Sequence, residues 1–225
     1  MGEASSLHQR RPHGAIIAFM GLPGAGKSTT AKVLASLIPN SSLFMEPHDG
    51  AWPVAVNRRH DFGYFTALTW FRSMRVPLLY MAHEVRANSG IAIVDSYYDK
   101  LIADYIDHRD MRWLIPPEDQ YFDTAKKMAE LDRRLLPNAD CIVFLRLTYQ
   151  VWRRLLSTRH REMDAEEQFL QSFPSQQRFL EAAQQFVAQS GGRIIVHDQA
   201  FGTPEATART LLANLTAAGV LSKPA

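Results

Sequence analysis

The stretch Gly21-Leu22-Pro23-Gly24-Ala25-Gly26-Lys27-Ser28 fits the spacing G-x-x-x-x-G-K-S/T. It follows an apolar run, Ala15 to Met20, that reads as a strand, and it precedes a run from Thr29 to Leu37 that reads as a helix. Those flanks give the pattern its chemistry. Glycines let successive backbone amides converge on one anion, and the following helix adds the positive end of its dipole. Lys27 is then placed to reach the terminal phosphates, and the Ser28 hydroxyl to ligate Mg2+. The stretch therefore predicts a phosphate-binding loop for a nucleoside triphosphate, made of Gly21, Gly24, Ala25, Gly26, Lys27, Ser28 and Thr29.

Outward from the loop, short apolar runs recur at Ser42 to Met45, Ile91 to Val94, Cys141 to Leu145 and Arg193 to His197. Such near-continuous runs suit strands covered on both faces. The segments between them have helical period: Ala208, Leu211, Leu212 and Leu215 form one stripe, and Phe179 or Leu180 with Ala183, Phe186 and Val187 another. Asp61 to Asn88 reads as a long helix or a pair, interrupted or kinked at Pro77. Glu118 to Leu136 reads as a helix with Phe122, Ala125, Ala129 and Leu136 inward, after a Pro116-Pro117 loop. The alternation predicts an α/β fold, a five-stranded parallel sheet sandwiched by helices, over 15–225.

A chain of 225 residues, 46% hydrophobic and 21% charged, has ample core for one domain. The formal charge of +2 announces no nucleic-acid or membrane partner. Residues 1–14 are polar, lack the apolar stretch of a secretory signal, and are expected to be a disordered tail, so a cytoplasmic protein is the expectation. Cys141, the single cysteine, lies in an apolar run and is expected to be a buried structural thiol.

Ligands of open parallel sheets bind beyond the carboxyl ends of the strands. Glu46 stands at such an end, in Met45-Glu46-Pro47-His48-Asp49-Gly50-Ala51-Trp52, and is a candidate to accept an acceptor's hydroxyl proton or to hold Mg2+ through water. Asp95, after the run Ile91 to Val94, stands where a Walker B acid would approach Mg2+, although an aspartate there could also cap the next helix. Arg72 and Arg75 on the long helix are candidates for an anionic group, since a guanidinium is costly to bury without one. Trp70 and Phe71 read as core, and Trp52 and Tyr97 as contacts to the acceptor. The basic cluster Arg153, Arg154, Arg159, His160 and Arg161 is either a solvated surface or a lid, at about 153–167, that closes over phosphates.

This order of P-loop, Glu-Pro, helix arginines, strand-end aspartate and Arg-rich segment resembles the thymidylate kinase and deoxynucleoside kinase superfamily over about Ala15 to Leu215. The resemblance implies that the loop holds the phosphates of ATP with Mg2+, bound by Ser28 and Asp95. It implies that Glu46 lies near the acceptor 5′-hydroxyl, that Arg72 contacts the acceptor, and that Arg154, Arg159 and Arg161 are the lid arginines. It also implies a small-molecule partner, a nucleoside or nucleotide, and the apolar long helix could serve a homodimer interface.

Two departures bear on the acceptor: Ser96 follows Asp95 where the superfamily has arginine, and Met45 precedes Glu46 where thymidylate kinases have arginine. Lys100 and Arg75 could supply the missing charge, which leaves nucleoside, nucleoside monophosphate and another small hydroxyl compound open as acceptors. A nucleotide-dependent regulatory ATPase is the reading from a different class, and no Asn-Lys-x-Asp guanine motif supports it.

Overall fold

Six consecutive apolar residues leave a strand no solvent face, and β1 (Ala15–Met20) accordingly runs down the middle of the sheet with every residue buried. The structure is a computed structural model that describes residues 14–47, 52–158, 170 and 172–222. After β1 come α1 (Lys27–Leu37), β2 (Ser41–Phe44), the one-turn helices α2 (Val54–Asn57) and α3 (Arg59–Phe62), and the long α4 (Tyr64–Ala87). Then follow β3 (Ile91–Val94), α5 (Tyr98–Leu101), α6 (Phe122–Leu135), β4 (Cys141–Arg146), α7 (Tyr149–Ser157), α8 (Ser175–Ser190), β5 (Arg193–Asp198) and α9 (Pro204–Ala217). Among these elements no helix is long and apolar enough to cross a membrane.

The five strands are all parallel in the order β2-β3-β1-β4-β5. After β1 the chain goes to the edge strand β2, returns inward through β3, and then crosses to β4 and β5 on the other side, so a crevice opens where β1 lies between β3 and β4. The phosphate-binding loop leaves β1 at that crevice and Asp95 leaves β3 beside it. Burial on both faces holds for β1 and β4 but not for the edge strands, since β2 and β5 are mostly half-buried.

The helical stripes face the sheet as their period predicts: Ala208, Leu211 and Leu215 on α9, and Phe179, Leu180, Ala183 and Phe186 on α8, are buried. Ala125 and Ala129 of α6 and the following Leu136 are buried too, while Phe122 is half-buried. The long helical region breaks at Gly63, whose φ is 95°, and not at Pro77, through which α4 runs unbroken. A proline removes one helical hydrogen bond, and here the turns on either side are held by buried Ala67, Leu68, Leu79 and Ala82. Cys141 is buried within β4 and burial pushes its thiol up to about 12, which keeps it unreactive.

Lys100 is a correction. It does not compensate for a missing charge near the acceptor, because α5 turns it into the core, where it is 1% exposed and its ammonium donates to the Leu136 carbonyl. Burial, with Arg133 nearby, pulls its pKa from 10.5 down to about 8. An unfolded chain therefore holds more protons than the folded one between about pH 8 and 10.5, and stability contributed at this site rises with pH across that window. Relative to Lys100→Met, which does not titrate, the wild type is expected to gain about 3 kcal/mol between pH 7 and pH 11, read by urea unfolding of both proteins. A stability gap that stays flat with pH would refute the buried ammonium.

Candidate active site

The phosphate-binding loop has the shape that its glycines permit. Gly21 has φ 138°, and a Cβ there would lie 2.7 Å from the Leu145 carbonyl oxygen, so only glycine fits between β1 and β4. Gly26, at φ 80°, turns the chain into α1 and leaves Ser28 and Thr29 exposed at the helix start. Between them the Ala25 amide donates to the Leu22 carbonyl at 3.1 Å. From below, Trp152 of α7 braces the loop, its buried indole N–H donating to the Pro23 carbonyl at 2.8 Å.

Lys27 is 7% exposed and folds back over the loop. Its ammonium donates to the carbonyls of Gly21 at 3.1 Å and Leu22 at 3.0 Å and to the Tyr98 hydroxyl at 2.9 Å. Tyr98 in turn donates to the Gly21 carbonyl at 2.5 Å. The residue chosen from the sequence, Tyr97, is a correction: it is 2% exposed, donates to the Pro137 carbonyl, accepts from the Ala139 amide, and packs on Phe186. Tyr97 precedes α5 in a non-helical conformation (φ −130°, ψ 20°) and enters the core, while Tyr98, the first residue of α5, reaches the loop.

Asp95 and Glu46 are brought together by strand register. Phe44 pairs with Val94, the Asp95 amide donates to the Phe44 carbonyl at 3.0 Å, and the Glu46 amide donates to Asp95 Oδ1 at 3.3 Å. Asp95 is 1% exposed, and its Oδ2 is buried with no hydrogen-bond partner among the described residues. Burial and the charge of Glu46 push its pKa up, while the Ser28 hydroxyl and Lys27 pull the other way. A buried, unpartnered carboxylate oxygen beside a P-loop serine fits Mg2+, which binds through one or two carboxylates and otherwise through water and phosphate.

For Glu46, burial alone would raise the pKa, but Arg75 and Lys27 outweigh it, with help from the nearby Ser96 hydroxyl, and hold it below the usual value. Ser96 is itself 6% exposed, with its hydroxyl beside the Glu46 carboxylate. Arg75 joins the carboxylates from α4. Its Nη1 donates to Glu46 Oε1 at 3.1 Å, and its Nε and Nη2 donate to Asp99 at 2.6 and 3.1 Å. Burial disfavours this guanidinium, yet Asp99 and Glu46 outweigh that cost and raise its pKa. The Arg75 guanidinium also lies 5.2 Å from the Phe71 ring centre and 5.5 Å from that of Tyr98.

Trp52 stands on this side, edge-on to Phe71 at 5.0 Å, with its indole N–H donating to the Pro47 carbonyl at 3.2 Å. Phe71, read from the sequence as core, thus forms a half-buried wall between Trp52 and Arg75. Arg72 is a second correction: three residues earlier on α4, it points to α6 and grips Asp132 with two hydrogen bonds of 2.6 and 2.7 Å. Asp99 and Tyr98 were hidden in the run Tyr97-Tyr98-Asp99-Lys100, whose composition is visible in the sequence but whose directions are not.

Of the segment expected as a lid, Arg159 and Arg161 lie outside the described residues, as do His48 and Asp49. Arg154 is described and exposed on α7, with its guanidinium carbon 3.6 Å from the ring centre of Phe201 in the β5–α9 loop. The helix that opens the expected lid is thus tied to the phosphate loop by Trp152 and stacked on the last loop of the sheet by Arg154.

No protein-family model and no curated protein sequence matches the chain. Solved structures do. A thymidylate kinase from Candida albicans aligns over 92% of this chain and 93% of its own at 18% identity, with a TM-score of 0.61. A deoxyadenosine kinase from M. mycoides with products dCMP and a flexible dCDP bound aligns over 90% of this chain and 99% of its own at 17% identity, with a TM-score of 0.62. The same kinase with bound dATP gives 16% identity, the same coverage and a TM-score of 0.62. At such identities the fold is what is shared, and over nine-tenths of its length this chain has the parallel α/β fold of thymidylate and deoxyadenosine kinases.

Proposed function

We propose that this chain is an ATP-dependent kinase that transfers a γ-phosphoryl group to a nucleoside or nucleoside monophosphate. The observation that carries this reading is the convergence of Lys27, Asp95 and Glu46 from the ends of β1, β3 and β2 on one crevice beside Arg75. A nucleotide switch has no use for a partly buried carboxylate and a carboxylate-clamped arginine opposite its phosphate loop. A kinase does, because phosphoryl transfer gains mostly from positioning and electrostatics.

In this reading the loop amides and Lys27 would hold the β- and γ-phosphates, and Ser28 with Asp95 Oδ2 would hold Mg2+, which when bound would supply charge neutralisation at the transferring group. Glu46, kept ionised by Arg75 and Lys27, accepts the acceptor's proton. Trp52 and Phe71 form the aromatic wall against which a base can stack, and Arg154, Arg159 and Arg161 are the proposed lid arginines. A cytoplasmic setting suits a chain whose one cysteine is a buried free thiol.

The test is an acceptor panel. The protein with Mg-ATP is incubated with common nucleosides and their monophosphates, and ATP consumption and product mass are followed together. ADP formed in step with a phosphorylated acceptor is expected; ATP hydrolysis without any phosphorylated product would favour the regulatory ATPase.

A further inference from the structure

We infer that the acceptor is a nucleoside bearing an uncharged hydroxyl, and not its monophosphate. This rests on the kinase reading above and narrows its substrate. A phosphate-bearing acceptor would bring nearly two negative charges, and the sequence offers Arg72, Arg75 and Lys100 to meet them. Among the described residues all three are engaged elsewhere. Arg72 is clamped by Asp132, Lys100 is buried against the Leu136 carbonyl, and Arg75 is held by Asp99 on two nitrogens and by Glu46 on a third.

Among the described residues, what gathers at the strand ends beside the loop is acidic. Glu46, Asp95 and Asp99 lie together, and the cations that act on Glu46 are Arg75 and Lys27, of which Lys27 belongs to the phosphate loop. Arg75, 11% exposed, already faces two carboxylates, Asp99 and Glu46, which take three of its five N–H donors, so a phosphate brought to the remaining two would meet a site whose positive charge is outweighed unless one carboxylate let go. A buried carboxylate stripped of its partner is strongly unfavourable. A hydroxyl makes no such demand, and the Ser96 hydroxyl, buried beside Glu46 at the same strand end, adds no charge there.

The step balances without any further reagent. The acceptor oxygen forms a bond to the γ-phosphorus of ATP as the bond to the β–γ bridging oxygen breaks. ADP departs with that electron pair, and the acceptor's hydroxyl proton passes to the Glu46 carboxylate.

The experiment compares kcat/KM for each deoxynucleoside with that for its 5′-monophosphate, using the full chain and Mg-ATP with products resolved by mass. The best nucleoside is expected to exceed its monophosphate by at least about 100-fold, the worth of one or two charge-assisted contacts. In Asp99→Asn, which frees donors on Arg75, the ratio is expected to fall by about tenfold or more. A ratio, unlike either rate, does not depend on how much of the variant is folded. A monophosphate converted to diphosphate as efficiently as its nucleoside overturns this inference and leaves the kinase reading standing. Absence of transfer to either class overturns both, and a ratio unmoved in Asp99→Asn overturns the selection by the clamped arginine.

Discussion

Replacing Lys27 with alanine is expected to lower turnover by at least about 10³-fold while leaving the fold in place, because a single preorganised cation at the transferring group is worth that much in a site that excludes water. The fold should survive for a local reason. The Lys27 ammonium bonds to Gly21, Leu22 and Tyr98, and when it is removed the Tyr98 hydroxyl still donates to the Gly21 carbonyl. The Leu22 carbonyl likewise keeps the Ala25 amide as a donor, so the lost contacts cost roughly 1 kcal/mol. Circular dichroism and the thermal midpoint check the fold, and single-turnover assays check the chemistry. Near-normal turnover in a folded Lys27→Ala protein would remove the phosphate loop from the mechanism. The same bonds carry a second consequence: nucleotide phosphates must draw the ammonium away from those carbonyls, so Tyr98 is the group positioned to keep the loop in shape as Lys27 leaves.

Glu46→Gln is expected to lower kcat by about 10²- to 10⁴-fold with little change in KM for the acceptor. Glutamine keeps the size of the side chain and an oxygen that can still accept from Arg75 Nη1, so the acceptor pocket should keep its shape. What is lost is the charged oxygen to which a hydroxyl proton can go, an oxygen held ionised by Arg75 and Lys27 against the cost of burial. Measuring kcat and KM separately distinguishes this from a structural effect, since a distorted pocket would raise KM. A kcat within a few-fold of wild type would show that the proton goes elsewhere, with the unpartnered Asp95 Oδ2 as the next group to test.

The architecture was legible because its causes are local. Apolar runs with turns between them predicted the five strands to within a residue or two at their ends, and the 3.6-residue stripes predicted which faces of α8 and α9 are buried. The phosphate loop was legible for the same reason, since its glycines and its lysine act on a few neighbouring peptide units. Glu46 and Asp95 were legible as strand-end carboxylates, because chain order along a parallel sheet places such ends on one rim.

What the sequence alone determined, then, is the glycine-rich loop after β1, the parallel sheet and the rim on which the carboxylates stand. Which cation meets the carboxylates on that rim was decided only by the tertiary structure. Arg72 and Arg75 differ by three positions on one helix, and a helical turn is enough to send one to Asp132 on α6 and the other to Glu46 and Asp99. Tyr97 and Tyr98 are adjacent, yet one closes the core and the other closes the phosphate loop. Lys100 reads as a cation that could serve the acceptor until α5 turns it beneath Leu136. The physical reason is the same in each case: a long polar side chain is committed by the partner that desolvation forces on it, and that partner comes from an element distant in sequence.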